Sequence, residues 1–265
     1  MAAGRHAAGE PPMTFPNYPP NYDSPPLLTA AAQLEGKRLP SAPPWLIFCP
    51  QASVMRHAVK RWRGKQVPGF FGETYLLGKS EQQVAVAGGF GVGAPVVGVL
   101  VEAFAVWGVS QFVWLGIAGG LQPGLGTGEL VLVETAVRDE GTSHHYLPTA
   151  PTVAASATLV ERVEQAILGA NLPSYKGATW TTDAPYRETA AAVAHYQQMG
   201  VQTVEMEVAA LFAVASYCQK EAAALLAVSD LLAGGVWQTA VSPHLPEQRL
   251  AQALDALVRA ALEAR

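Results

Sequence analysis

From Trp45 onward, short apolar runs alternate with longer stretches in which apolar positions recur every three or four residues. The runs WLIFC (45–49), QVAVAGG (83–89), QFVWLGI (111–117), ELVLVETAV (129–137) and AAALLAVSD (222–230) lack a regular polar alternate. That pattern predicts strands covered on both faces. GATWTT (177–182) and VQTVE (201–205) are shorter strand candidates. Between them the helical period predicts helices over SVMRHAVKRW (53–62), Pro95–Trp107, Ala155–Leu168, RETAAAVAHYQQMG (187–200) and the run following VEME. Pro95 suits a first helical turn and Gly108 a C-terminal cap. At the C-terminus Leu250, Leu254, Leu257, Val258 and Leu262 form one stripe, with Arg and Glu opposite. Strands alternating with helices predict an α/β fold of three layers, α/β/α, around a mixed, largely parallel central sheet.

Residues 1–44 break the pattern and contain half of the chain's 20 prolines. Proline lacks the N–H and fixes φ, so PPMTFPNYPPNYDSPP is expected to form neither helix nor central strand. The expected division is a proline-rich N-terminal arm, 1–44, and one domain, 45–265. Composition narrows the partners. The chain is 50% hydrophobic, 14% charged and carries a net charge of −4. A low charge content suits a large core, or a subunit buried against copies of itself. The absence of a basic stripe argues against nucleic acid. The two cysteines, Cys49 and Cys218, lack metal-ligand spacing, and a disulfide scaffold is not expected at this size. No stretch reads as a membrane span of about 18 residues or a signal core. A soluble, cytoplasmic protein is the expectation.

Several glycine-rich and acidic segments are candidates for chemistry. GGFGVGA fits a dinucleotide glycine pattern at Gly89, Gly91 and Ala94, but nothing acidic lies between Glu102 and Glu129, where that fold needs its ribose-binding acid. A tight strand-to-helix turn is the plainer account, and it can still present N–H groups to an anion at the helix start. GIAGGLQPGLGTGEL ends a strand, and Gly116, Gly119 and Gly120 there suit either a turn or close approach of a ligand. RDEGTSHHYLP gathers Asp139, Glu140, Ser143, His144 and His145, yet adjacent histidines on a strand point to opposite faces, so no metal is expected. The G-x-S-x-G elbow of a serine hydrolase is absent. Arg56, in a basic stretch after the first strand, is a candidate for an anionic ligand if it is more than a solvated helix face. Asp230 ends the last strand, as a site residue or a helix cap. VEME places Glu205 and Glu207 where a buried helix begins, a costly position for an acid without a partner.

Taken together, GVGAP, GIAGGLQPGLGTGELVL, RDEGTSHHY, VEMEVAALFAVA and AVSD resemble the nucleoside phosphorylase family, which includes uridine phosphorylase, hexameric purine nucleoside phosphorylase and the methylthioadenosine nucleosidases. The likeness runs from about Trp45 to the C-terminus. It implies a phosphorylase-type fold, a homo-oligomer (hexamer or dimer), and cleavage of a nucleoside's N-glycosidic bond with inorganic phosphate as co-substrate and no other cofactor. RDEGTSHHY is closest to uridine phosphorylases; the Asp230 motif is closer to purine enzymes, so a purine is slightly preferred. By resemblance, Glu207 would accept the ribose 2′- and 3′-hydroxyls, Met206 would pack on the sugar, and Glu205 would support them. In the empty protein, water would take the diol's place on Glu207. Asp230 would hydrogen-bond or protonate N7 of a purine, while in DAPYRE Tyr186 would pack near the base and Arg187 would reach a base oxygen or phosphate.

The departures concern phosphate. Trp114 stands where the family has an arginine and Ile117 where it has Ser or Thr, and neither supplies a charge or hydroxyl. The family's G-D-P-x-R turn is replaced by PQASVMR. Arg56, with the backbone N–H groups of Gly116 and Ile117, would have to hold phosphate instead. A hydrolytic nucleosidase is one alternative, although CPQASV has no acid to activate water; a nucleoside-binding protein without turnover is another.

Overall fold

The computed structural model describes residues 22, 24–239 and 242–263. In chain order the elements are α1 (Ala30–Leu34), β1 (Trp45–Phe48), α2 (Ala52–Trp62), β2 (Gly64–Gln66), β3 (Glu73–Leu77), β4 (Val84–Gly88), α3 (Ala94–Trp107), β5 (Gln111–Gly120), β6 (Leu130–Asp139), β7 (Thr152–Ala154), α4 (Ala157–Gly169), β8 (Ser174–Thr182), α5 (Ala190–Gln198), β9 (Thr203–Glu205), α6 (Val208–Tyr217), β10 (Glu221–Leu231), β11 (Gln238–Thr239) and α7 (Leu245–Glu263). The sheet runs β11-β10-β6-β8-β9-β5-β1-β4-β3-β2. Its longest pairings, β5 with β10 and β6 with β8, are parallel. Because β10 also pairs with β5, the strands β5, β10, β6, β8 and β9 close on themselves. The strand ends that carry the family-like motifs are thereby drawn together.

The apolar runs are buried on both faces. In β1, Trp45 and Ile47 face a core shared with α2, α4 and α7. Leu46 and Phe48 face the opposite core, shared with α3 and α6. Helices on both sides of a mixed sheet are the three-layer arrangement expected. Every residue of α6 from Val208 to Ala215 is buried, which explains its lack of a polar face. The hairpin β2–β3 was not legible in the pattern, because GKQ has no apolar residue and pairs only through its backbone with β3.

The proline-rich run lies mostly outside the described residues. The following stretch lies on the surface by α3: Thr29 caps α1 through its hydroxyl, Lys37 reaches the Gly69 carbonyl at 2.7 Å, and Trp107 donates to the Pro40 carbonyl at 2.8 Å. Among the described residues, no helix is long and apolar enough to cross a membrane.

Candidate functional site

The VEME segment joins β9 to α6. Glu205 is buried, and one oxygen, Oε2, accepts the N–H groups of Glu207 and Val208, each at 2.7 Å. This carboxyl therefore satisfies the donors at the start of α6, the task of an N-terminal cap. Its other oxygen takes the Thr181 hydroxyl of β8 at 2.6 Å, and Thr181 in turn accepts the N–H of Ala209 at 3.0 Å. Burial, and then the charge of Glu207, hold the Glu205 carboxyl above the usual range, against the pull of these hydrogen bonds. Burial also raises Glu207, opposed by the N–H groups of Gly93 and Met206. The neighbouring acids thus favour one negative charge over two.

Glu207 Oε1 accepts the Gly93 N–H at 2.7 Å. The expectation that water alone would occupy this carboxylate is corrected: the protein itself supplies a donor. Gly93 precedes α3 with φ 101°, a conformation that favours glycine. The anion anticipated at the start of that helix is this glutamate, placed at the positive end of 14 aligned residues. No protein cation pairs with Glu207 among the described residues.

A cavity of about 570 Å³ opens beside this segment, with Glu205 and Met206 in one wall. Ile117, Gly119, Tyr186, Glu188, Asp230 and Trp237 line the rest. Asp230 is aimed there by an irregularity in β10, where pairing with β5 steps from Val228 to Asp230 and skips Ser229. Such bulges re-aim side chains next to sites. Ser229 donates to Asp230 Oδ1 at 2.5 Å, and Trp237 Nε1 donates to Oδ2 at 2.9 Å. A Cβ at position 119 would lie 2.6 Å from Leu232 Cδ1 and 3.1 Å from Val204, so the glycine leaves room for these side chains beside the cavity. Glu188, within the segment DAPYRE, was not singled out in the sequence. Burial and the adjacent Asp230 carboxylate push it up to about 7. The only signal for it was an acid two residues beyond Tyr186.

The predicted phosphate residues do not gather here. Trp114 is buried against Phe48 and Phe90, with ring centroids 5.7 and 6.1 Å away. A Cβ on Gly116 would fall 2.3 Å from the Trp114 indole nitrogen, so this glycine accommodates a core side chain. Gly116 is buried in β5, whereas Ile117 is exposed to the cavity. Arg56 lies on the exposed side of α2 and Arg187 is exposed beside Tyr186; neither lines the cavity, and among the described residues its walls contain no Lys or Arg. RDEGTSHHYLP is organised internally: buried Arg138 binds the Ser143 hydroxyl and the carbonyls of Leu147 and Pro148, Glu140 accepts the Ser143 N–H, and Asp139 accepts Trp180 Nε1. Among the described residues, no group of three or more His, Cys, Asp or Glu is placed to hold a metal.

The Haemophilus influenzae uridine phosphorylase is 27% identical over 157 residues, 54% of this chain and 62% of that enzyme's length. The DeoD-type purine nucleoside phosphorylase of Caldanaerobacter subterraneus subsp. tengcongensis is 30% identical over 175 residues, 64% of this chain and 73% of that enzyme. Among solved structures, an AMP nucleosidase from Bacteroides thetaiotaomicron superposes with a TM-score of 0.66 at 21% identity, covering 82% of this chain and 87% of that one. A uridine phosphorylase from Vibrio fischeri gives 0.65 at 22%, covering 84% and 90%. At these identities the structures speak to the fold. The family model of the phosphorylase superfamily matches residues 54–263, and the chain belongs to that superfamily.

Proposed function

We propose that this chain cleaves the N-glycosidic bond of a nucleoside, a purine nucleoside in preference to uridine, with inorganic phosphate as co-substrate. The observation that carries the reading is that Glu205 and Met206, which lead into Glu207, line one cavity of about 570 Å³ together with Tyr186 and Asp230. A nucleoside has a diol at one end and a nitrogenous base at the other. Glu207, with Met206 beside it, would hold the sugar, and its negative charge would favour the positive charge that develops there. Glu205 would hold Glu207 in place through the backbone. Asp230 would sit at the base, with Tyr186 covering it and Arg187 in reach from outside. Arg56, with backbone N–H groups near Gly116 and Ile117, would have to bring phosphate to the sugar's other face.

A second reading, attack by water, is favoured by one observation: among the described residues the cavity wall has three carboxyl groups, Glu188, Glu205 and Asp230, and no cation. A phosphate dianion would find no side-chain cation among those residues to pair with. Release of free base from inosine, adenosine, uridine and methylthioadenosine, measured with and without phosphate, separates the readings. Release that requires phosphate supports phosphorolysis, and release without it supports hydrolysis. Nucleoside binding without base release would sink both and leave a binding protein.

A further inference from the structure

Two carboxyl groups share the base end of the cavity, and their surroundings differ. Asp230 has both oxygens engaged by donors: the Ser229 hydroxyl at Oδ1 and the Trp237 indole N–H at Oδ2. Ser229 lies at the irregularity in β10, within 3.3 Å of the Ala118 carbonyl. An indole N–H can only donate, so this arrangement suits the charged form of Asp230. Glu188 lies opposite, after the short turn Pro185–Arg187. It is half-buried, lines the same cavity, and its carboxyl has no hydrogen-bond partner among the described residues. Of two carboxyls that line one cavity, the one with less support for its charge keeps its proton to higher pH.

We propose that Glu188 is a catalytic acid of this site and that Asp230 is the fixed negative partner that keeps the proton on it. The inference rests on the nucleoside reading above and divides differently the work assigned there to Asp230. As the C1′–N9 bond breaks, its electron pair passes to the purine. N7 takes the proton of Glu188, so the base leaves neutral and Glu188 is left as a carboxylate. The oxygen of phosphate or water bonds to C1′ and releases its proton to solvent, and Glu188 regains one from solvent once the base has gone. The charged groups around Glu188 agree with this role. Asp230 faces it from β10, Glu205 lines the same cavity from β9, and neighbouring Arg187 is exposed. Burial and Asp230 place its titration at about 7, so it holds its proton below that pH and loses it above.

The test compares inosine with 7-methylinosine, whose imidazole ring already carries a positive charge and needs no proton to leave. In the unaltered protein, kcat/KM for inosine should fall as pH rises through about 7, while that for 7-methylinosine should not. Glu188→Gln should lower inosine cleavage by about 10²- to 10⁴-fold and remove the pH limb, with 7-methylinosine cleavage nearly unchanged. Equal losses on both substrates, or an inosine limb that survives in Glu188→Gln, would overturn the proposal. A readout independent of turnover is the carboxyl carbon of Glu188 followed by NMR. A midpoint near 7 that moves down in Asp230→Asn is expected; an ordinary carboxylate midpoint would overturn the pairing. If the unaltered protein releases base from neither nucleoside, the nucleoside reading itself fails and the catalytic role falls with it. If it releases base and Glu188→Gln behaves like the parent, only the role of Glu188 fails.

Discussion

Glu207 and Gly93 show how one side chain is prepared by a distant backbone group. The contact between them, 114 residues apart, places a carboxylate on the first N–H of a helix without using a cation. A lysine or arginine there would neutralise the charge that a developing oxocarbenium ion needs. Glu207→Ala is expected to lower kcat/KM by about 10²-fold or more with the fold intact, since its side chain forms no cap of α6. An unchanged kcat/KM in steady-state assays would remove Glu207 from the sugar site. Gly93→Ala tests the support. A Cβ there would meet only Pro95 Cδ at 3.8 Å, so the cost is backbone strain at φ 101°, not a clash. That strain is on the order of 1–3 kcal/mol. The substitution should weaken nucleoside binding, read by calorimetry, more than a solvent-facing Gly→Ala change elsewhere.

At the scale of elements, the site depends on β8, β9 and α6 meeting at Thr181. Its hydroxyl donates to Glu205 and accepts from the first turn of α6, so a single oxygen ties three elements together. Thr181→Val keeps the shape and removes both bonds. It should cost about 1–3 kcal/mol, because a buried N–H and a buried carboxyl oxygen lose their partners. Urea unfolding would show this as a lower midpoint with unchanged slope; an unshifted midpoint would mean the bonds are replaced. Apolar runs made β1, β4, β5, β6 and β10 legible, since a strand covered on both faces has few alternatives. The strands that escaped notice, β2, β3, β7 and β11, are five residues or fewer and owe their form to pairing with a neighbour. Candidate residues such as Glu207 and Asp230 were singled out by family-like motifs rather than by an apolar pattern. Glu188 was not, because its environment is made by Asp230, 42 positions further along the chain.

The whole molecule buries acids within an apolar, sparsely charged body, and its stability should record this. Glu205 and Glu188 are raised in the folded protein, so between the ordinary carboxylate value of about 4.3 and their folded values the native state binds more protons than the unfolded chain. Stability contributed by these groups is therefore present at low pH and falls as pH rises through that window. Tm should decline from pH 5 to pH 7.5, and the double variant Glu188→Gln, Glu205→Gln should flatten the decline. A Tm that rises over this range, or a variant with the parent slope, would contradict the assignment. The low charge content and the valines exposed along α3 and just before it, Val92, Val99 and Val106, accord with the expected homo-oligomer. Light scattering should then give a multiple of 27.9 kDa, and the monomer mass would refute it.

By itself the sequence determined the layered α/β architecture and the family, because burial on two faces and short glycine and acidic motifs are local properties of the chain. It also determined which acids needed an explanation, since an acid beside an apolar run is visible without coordinates. Only the tertiary structure decided what those acids meet. It set Glu207 on the start of α3, turned Glu205 into the cap of α6, sank Trp114 beneath Gly116, and brought Glu188 to Asp230. The first and last of these join groups that the chain separates, and a pKa or a cavity wall depends on distance in space rather than on position in sequence.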